Sequence, residues 1–406
     1  IGLQYSSTDD SLTKQQYLPR DHAMSLSLHG KSISSISSSG SVSCLVADGS
    51  TYCWGQSYYA FPGNGYQLAN PTEIAKPVLF DNKKFSKVSV GQNTICTIAD
   101  LQAYCWGEGR SGQIGNGAGE SVSTPTPVST LGLLSGKTVS DISVGGNHAC
   151  AVADGKAYCW GANSNGELGN GTTTSSNSPV EVTSTGVLAG KTISSISAGS
   201  NHTCVVANFA AYCWGYNGNG QLGNGTQTDS STPVTVLTSG ALQSKLLSQI
   251  TTGSQHSCAA TLTEAFCWGE NSVNQLGDNT KVRSLSPAKV ATTSSASSAA
   301  DIHSISYDEN SASLKFIADN EYFSHYLSVD SKLSSKRLPT AESLGVLSGK
   351  VISKAVQGYG FACYLSEGRV YCAGQNASGQ LGNGTQAISD TPVEIDMTGA
   401  LKGLSI

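Results

Sequence analysis

Twelve cysteines in a chain of 406 residues are the largest supply of reactive side chains, and they obey one rule. Cys44 and Cys53, Cys96 and Cys105, Cys150 and Cys159, Cys204 and Cys213, Cys258 and Cys267, and Cys363 and Cys372 each form a C-x8-C pair, with none left over. Zinc gathers four ligands and favours CxxC-type spacings, which are absent, so the pairs read as structural disulfides, with buried free thiols as the alternative. His148, His202 and His256 recur at one place per repeat without a convergent Cys, Asp or Glu. A repeated hydrogen-bonding role between strands fits them better than a metal. The stretches 107–112 (GEGRSG) and 218–223 (GNGQLG) satisfy the phosphate-binding pattern GxGxxG, but neither opens a helix after a parallel strand, and both read as turns. The sequence holds no G-x-S-x-G elbow, no HExxH and no distinctive carboxylate pair. No catalytic residue, metal or cofactor is assigned, and the expectation is a protein that is not an enzyme.

The element that must position each cysteine pair is visible in CAVADGKAYCWG, residues 150–161. Asp154-Gly155 signals a two-residue type I′ turn, and pairing outward from it sets Cys150 opposite Cys159. That position is a non-hydrogen-bonded pair, where Cα atoms approach to about 4.5 Å, at the short end of disulfide range. Disulfides persist in oxidising compartments, so an extracellular, cell-surface or periplasmic location is expected. Composition points the same way: charged residues are 13% of the chain, about half the usual share. A net charge of −5 without any basic cluster argues against nucleic acid, and no run of eighteen apolar residues offers a membrane span. Ile1 is preceded by no signal segment, so the chain reads as processed or truncated.

The hairpin belongs to a repeat. Successive first cysteines lie 52, 54, 54 and 54 residues apart, and then the gap doubles to 105. From Lys191 the unit runs through a β-rich ISSIS, the cysteine hairpin, a Gly/Asn-rich loop and a short PVTV strand. The doubled gap hides an irregular copy, DIHSISYDENSASLKFIADNEYFSHY, with an Asp319-Asn320 turn. Aligned on that turn, Lys315 and Ser324 take the cysteine positions; an alignment shifted by one would put Leu314 and Phe323 there. Four short strands per unit with Gly-rich turns indicate an all-β fold, a seven-bladed β-propeller with one cross-strand disulfide hairpin in six of the seven blades. PV landmarks or variants mark the last strand at Pro77, Pro127, Pro179, Pro233, Pro287, Pro339 and Pro392, and Pro19 resembles an eighth copy. Residues 1–18 are therefore read as an N-terminal extension and 19–395 as the propeller. Residues 396–406 are read as a segment for ring closure or a link onward, either terminus being able to supply the closing strand.

GSNHTCVVANFAAYCWGYNGNGQLGNGT, residues 199–226, carries G-x-x-H, aromatic-x-W-G and N-x-x-G-Q-L-G-N-G-T in order. This unit resembles the repeat of the regulator of chromosome condensation family, over essentially Lys31 to Pro392. The resemblance implies a seven-bladed propeller. Family members include a nuclear guanine-nucleotide exchange factor for a small GTPase and a bacterial propeller that inhibits β-lactamases, so function does not transfer with fold. The cysteine pairs are foreign to a nuclear protein, and the nearly constant spacing leaves no room for an exchange factor's inserted β-wedge.

What remains is a scaffold with loops. Trp54, Trp106, Trp160, Trp214 and Trp268 follow the second cysteine and read as packing between blades, with a sugar-stacking platform as the alternative. Sequons at Asn170, Asn201, Asn224, Asn376 and Asn383 are candidate glycosylation sites, although three lie in the NGT turn, where Asn and Gly are wanted for positive φ. Candidate binding residues sit in the irregular repeats: Tyr58, Tyr59, Phe61 and Tyr66 in the first, where others carry Ser, Asn and Gly, and Lys332, Lys336 and Arg337 near the hidden one. The expected function is a secreted or cell-surface interaction module that binds a protein or glycan through rim loops. The alternative is a self-associating structural subunit of an extracellular assembly or appendage.

Overall fold

The computed structural model describes residues 32–57, 67–74, 83–129, 132–291, 302–308, 313–318, 321–324, 345–347, 352–358 and 360–396. Each repeat folds as an antiparallel meander whose consecutive strands are neighbours. In the third blade the innermost strand, Val139–Val144, pairs with His148–Ala153, which pairs with Lys156–Gly161, which pairs with the outermost strand, Ser176–Glu181. The second strand is buried at all six positions, because neighbouring blades cover both of its faces. A strand covered on both faces reads as a continuous apolar run rather than an alternation, and HACAVA is one.

The turn chemistry sets the register. Asp154 and Gly155 both take positive φ, 50° and 74°, as a type I′ turn requires, and Cys150 then faces Cys159. All six C-x8-C pairs are disulfides, with Cα atoms 4.0 or 4.1 Å apart. The bridges are fully buried in the layers between blades: Cys150 and Cys159 share a core with Val205, Tyr212 and Trp214 of the fourth blade.

The expectation of seven blades is corrected. The structure has six four-stranded blades, spanning 33–73, 85–127, 139–181, 193–235, 249–289 and 352–394, with one disulfide in each. Among the described residues the hidden repeat supplies a three-stranded sheet, Ile302–Asp308, Ser313–Ala318 and Glu321–Ser324. Its register pairs Lys315 with Ser324 at the cysteine positions, so the alignment on the turn is the right one. The six four-stranded blades share one further feature, two residues past the second cysteine. Every complete blade has a glycine there, Gly55, Gly107, Gly161, Gly215, Gly269 or Gly374, at φ between 100° and 118°, just where the outermost strand joins through a register shift. A Cβ on Gly161 would meet the Asn147 carbonyl at 2.5 Å. The hidden repeat has Tyr326 at that place, outside the described residues.

Two strand landmarks also shift. Thr72 and Thr126 face the second cysteine as Val180 does, so the prolines equivalent to Pro179 are Pro71 and Pro125 rather than Pro77 and Pro127. They sit on outermost strands, where a missing N–H costs no ladder bond. Each four-stranded blade comes from one contiguous segment, and the last blade meets the first through Trp54 Nε1, which donates to the Gln380 carbonyl at 2.7 Å. Pro19, Pro77 and Pro339 lie outside the described residues, as do 1–18 and 397–406.

Candidate functional site

The repeated motif residues are occupied in holding blade to blade. Trp160, Trp214 and Trp268 donate their indole N–H to the carbonyls of Gln113, Glu167 and Gln221 in the preceding blade, at 2.9, 2.7 and 2.8 Å. Gly169, at φ 65°, lies flat on Trp214, where an added Cβ would stand 2.7 Å from the indole nitrogen. Each of the five tryptophans is 0% exposed, which removes the sugar-stacking alternative for these rings.

The histidines link blades rather than strands of one sheet. His148 Nε2 lies 2.9 Å from Thr203 Oγ1, and His202 Nε2 lies 2.8 Å from Ser257 Oγ. Both hydroxyls donate onward to the carbonyls of Glu167 and Gln221, at 3.1 and 2.9 Å. A hydroxyl has one proton, so the imidazole must donate from Nε2, which fixes a neutral Nε2–H tautomer. Burial pushes His148 down to about 4, and burial together with the neighbouring histidine pushes His202 and His256 down to about 3. Nδ1 of His148 and of His202 is buried without a hydrogen-bond partner, and neutral imidazoles tied to the next blade through Nε2 in this way are scaffold. Among the described residues no three His, Cys, Asp or Glu side chains converge to hold a metal.

The N-x-x-G-Q-L-G-N-G-T loops are clamped from within. Asn217 Nδ2 donates to the Thr226 and Thr228 carbonyls at 3.0 and 3.1 Å, while its Oδ1 accepts from Leu222 N at 2.9 Å. Asn376 does the same in the last blade and is fully buried, its amide nitrogen shared among Asn383, Thr385 and Ala387, which leaves no room for a glycan on the folded protein. Asn201 is exposed, and Asn170, Asn224 and Asn383 are half-buried.

The surface feature that sequence reasoning missed is at the end carrying the cysteine-hairpin turns. Where the first, third and last blades have Gly49, Gly155 and Gly368, the second and fourth have Leu101 and Phe209. Both keep the left-handed conformation, at φ 64° and 63°, and both are exposed, at 55% and 61%. Left-handed backbone costs an L residue roughly 1–2 kcal/mol, and an exposed side chain returns little of it through packing. The Phe209 carbonyl accepts from Leu247 N at 2.9 Å, which brings the turn beside Leu246, 68% exposed, and the fifth blade's turn adds Leu262, 66% exposed. The Leu101 carbonyl accepts from Val139 N at 2.8 Å, close to Leu133, which is also exposed. A small pocket lies between Ala103, Val128, Leu134 and Val139 at this end. Charges nearby cancel: Lys245 and Lys289 both pair with Glu264 and hold its carboxyl below the usual range. Exposed Val282 and Ile388 lie in the loops of the opposite end.

Tyr58, Tyr59, Phe61 and Tyr66, and likewise Lys332, Lys336 and Arg337, lie outside the described residues. The signal that finds Phe209 and Leu101 is local: Asn-Phe and Asp-Leu stand where the turn asks for glycine second.

Residues 63–405 match the RCC1-like domain. The chain belongs to this family. Among curated relatives it is similar to the ultraviolet-B receptor UVR8 of Arabidopsis thaliana, 28% identical over 260 residues that cover 63% of this chain and 57% of that protein. It is also similar to the human E3 ubiquitin-protein ligase HERC2, 29% identical over 62% of this chain but only 5% of that protein. The chain thus spans a little over half of the first relative and a small part of the second. Among solved structures, Prp20p from Saccharomyces cerevisiae superposes with a TM-score of 0.67 at 18% identity, covering 93% of this chain and 88% of that one. That structure is described by its binding to Gsp1p and histones, and at this identity the likeness is one of fold. The RCC1-like propeller is a protein-interaction module. Among the described residues no helix is long and apolar enough to cross a membrane.

Proposed function

We propose that this RCC1-like propeller works in an oxidising, extracellular setting as a protein-binding module, and that it meets its partner with the end bearing Leu101, Leu133, Phe209, Leu246 and Leu262. The carrying observation is the retention of Phe209 and Leu101 in left-handed turns, exposed, where glycine serves in three other blades. An aromatic anchor displayed on a rigid base, as Phe209 is, is typical of protein interfaces. The compartment follows from six buried disulfides with no free cysteine among the described residues, since thiols in the cytosol are kept reduced. Two further contact regions are proposed from sequence alone: the aromatic loop with Tyr58, Tyr59, Phe61 and Tyr66, and the basic group Lys332, Lys336 and Arg337.

The test places a photo-crosslinking residue at position 209 or, as a control, at exposed Ser272 in a loop of the opposite end, with the protein in its native setting. A discrete cross-linked protein from 209, absent from 272 and lost when Leu246 and Leu262 are also changed to Ser, is the expected result. Equal labelling from both positions would overturn the assignment of this end. Cross-linking to a second copy alone would favour the structural-subunit reading.

A further inference from the structure

The innermost strands carry a ring of polar residues around the propeller axis, and only part of it is used to join neighbouring blades. Ser35, Lys87, Asp141, Ser195, Gln249 and Lys354 occupy one register level, each facing the residue two beyond the first cysteine: Val46, Ile98, Val152, Val206, Ala260 and Leu365. In most of these strands a register shift falls just before the residue, and such a bulge re-aims a side chain. The serines of the ring do structural work, as when Ser35 Oγ accepts from Val88 N in the next blade at 3.2 Å. The charged members do not balance. Lys87 pairs with Asp141, whose carboxylate also accepts from Ile142 N at 2.7 Å and Ile196 N at 3.3 Å and is thereby saturated. Among the described residues Lys354 has no such partner. Lys354 is half-buried, and its surroundings act on it by burial and by charge at a distance, Lys87 repelling and Asp141 attracting.

We propose that the axial channel binds a small oxyanion of the sulfate or phosphate class between the ammonium groups of Lys354 and Lys87, at the level of Ser35. Desolvation lowers Lys354 to about 8, so the site as it stands carries an uncompensated positive charge near neutrality. Removing a charge from water without a partner costs several kcal/mol, and a bound anion supplies the partner. An oxyanion matches the site better than a halide because its several acceptors can serve two ammonium groups together. Ser35 lies in the blade between those of Lys354 and Lys87, so the three line one side of the ring, with the Asp141 carboxylate beyond Lys87.

Sulfate is the probe, because its charge is constant across the working pH range, with chloride at matched ionic strength as control. Titration calorimetry and thermal unfolding of the whole chain should show saturable, millimolar binding of sulfate. Lys354→Met should weaken that binding by at least about tenfold, since one ammonium beside a dianion at contact distance is worth several times the energy of that factor at protein-like dielectric. Asp141→Asn should strengthen it by removing the competing carboxylate. The proposal is overturned if sulfate gives no more than chloride does, or if Lys354→Met responds to sulfate as the unmodified protein does. Should Lys354→Met fail to fold, Asp141→Asn decides alone: tighter sulfate binding supports the site, and unchanged or weaker binding overturns it.

Discussion

Lowering the pH from about 7 to about 5 should destabilise this propeller through three buried histidines, with a size that follows from their surroundings. His148, His202 and His256 are at most 1% exposed and are held neutral, with pKa values pushed down to about 4, 3 and 3. In the unfolded chain each returns to about 6.5. The unfolded state therefore binds more protons throughout this window, so stability falls as the pH falls below 6.5 and keeps falling until the folded-state values are reached. At about pH 5 each unfolded histidine gains about 2 kcal/mol from protonation while the folded one gains almost nothing, so the three together cost about 6 kcal/mol. That is comparable to the whole stability of many domains.

Other shifted groups leave this window clear. Glu181 and Glu264 are held low mainly by hydrogen bonds from Lys156 and Lys245, so their contribution is present above the ordinary carboxylate pKa and is lost only below it. Lys354 is protonated in both states at either pH, and its burial cost is constant there. The assay is denaturant unfolding followed by the fluorescence of the five buried tryptophans, at the two pH values, for the unmodified protein and for His202→Gln, whose amide nitrogen can still donate to Ser257 but does not titrate. The variant should lose about a third less stability on acidification. An equal loss in both proteins, or a midpoint indifferent to pH between 7 and 5, would refute the tautomer and burial assignments together.

Gly169→Ala should lower stability by about 2 kcal/mol or more, because it combines a φ of 65° with a Cβ 2.7 Å from the Trp214 indole nitrogen; thermal unfolding reads it, and a neutral result would mean that the blade junction yields. Phe209→Gly should raise stability by about 1 kcal/mol while abolishing partner capture, since it relieves left-handed strain and removes an exposed anchor; a loss of stability would show that the ring packs on its own blade. Mass spectrometry of unreduced peptides should find links only between cysteines nine apart in sequence. Hydrogen exchange should be faster in 302–324, which lacks a bridge, than in the bridged hairpins.

What was legible in the sequence was whatever a short stretch decides for itself. Asp154-Gly155 dictates its own turn, the turn dictates that Cys150 meets Cys159, and repetition of the same ten residues carries the result around the ring. The register of the hidden repeat, Lys315 opposite Ser324, followed from the same logic. The count of four-stranded blades did not, because a hairpin decides only its own two strands and says nothing of the outermost one, and among the described residues six blades have all four. Interactions between blades were hidden for a different reason. His148 and Thr203 stand 55 residues apart, and nothing in either local sequence says that an imidazole will spend its proton on the next blade's hydroxyl. Once the repeat length is known, though, 55 is one repeat plus one, and the same offset joins His202 to Ser257.

That offset also separates the two kinds of departure from the repeat. A residue that breaks the pattern at a junction position changes what holds the ring together. A residue that breaks the pattern at a turn or on the axis leaves the blade itself intact. Phe209, Leu101, Lys87, Asp141 and Lys354 are of this second kind: their blades keep the disulfide and the meander unchanged. Substitutions that the scaffold does not need, and that cost left-handed strain at the turns or desolvation on the axis, mark where a propeller of otherwise interchangeable blades has chemistry to spend on something other than itself.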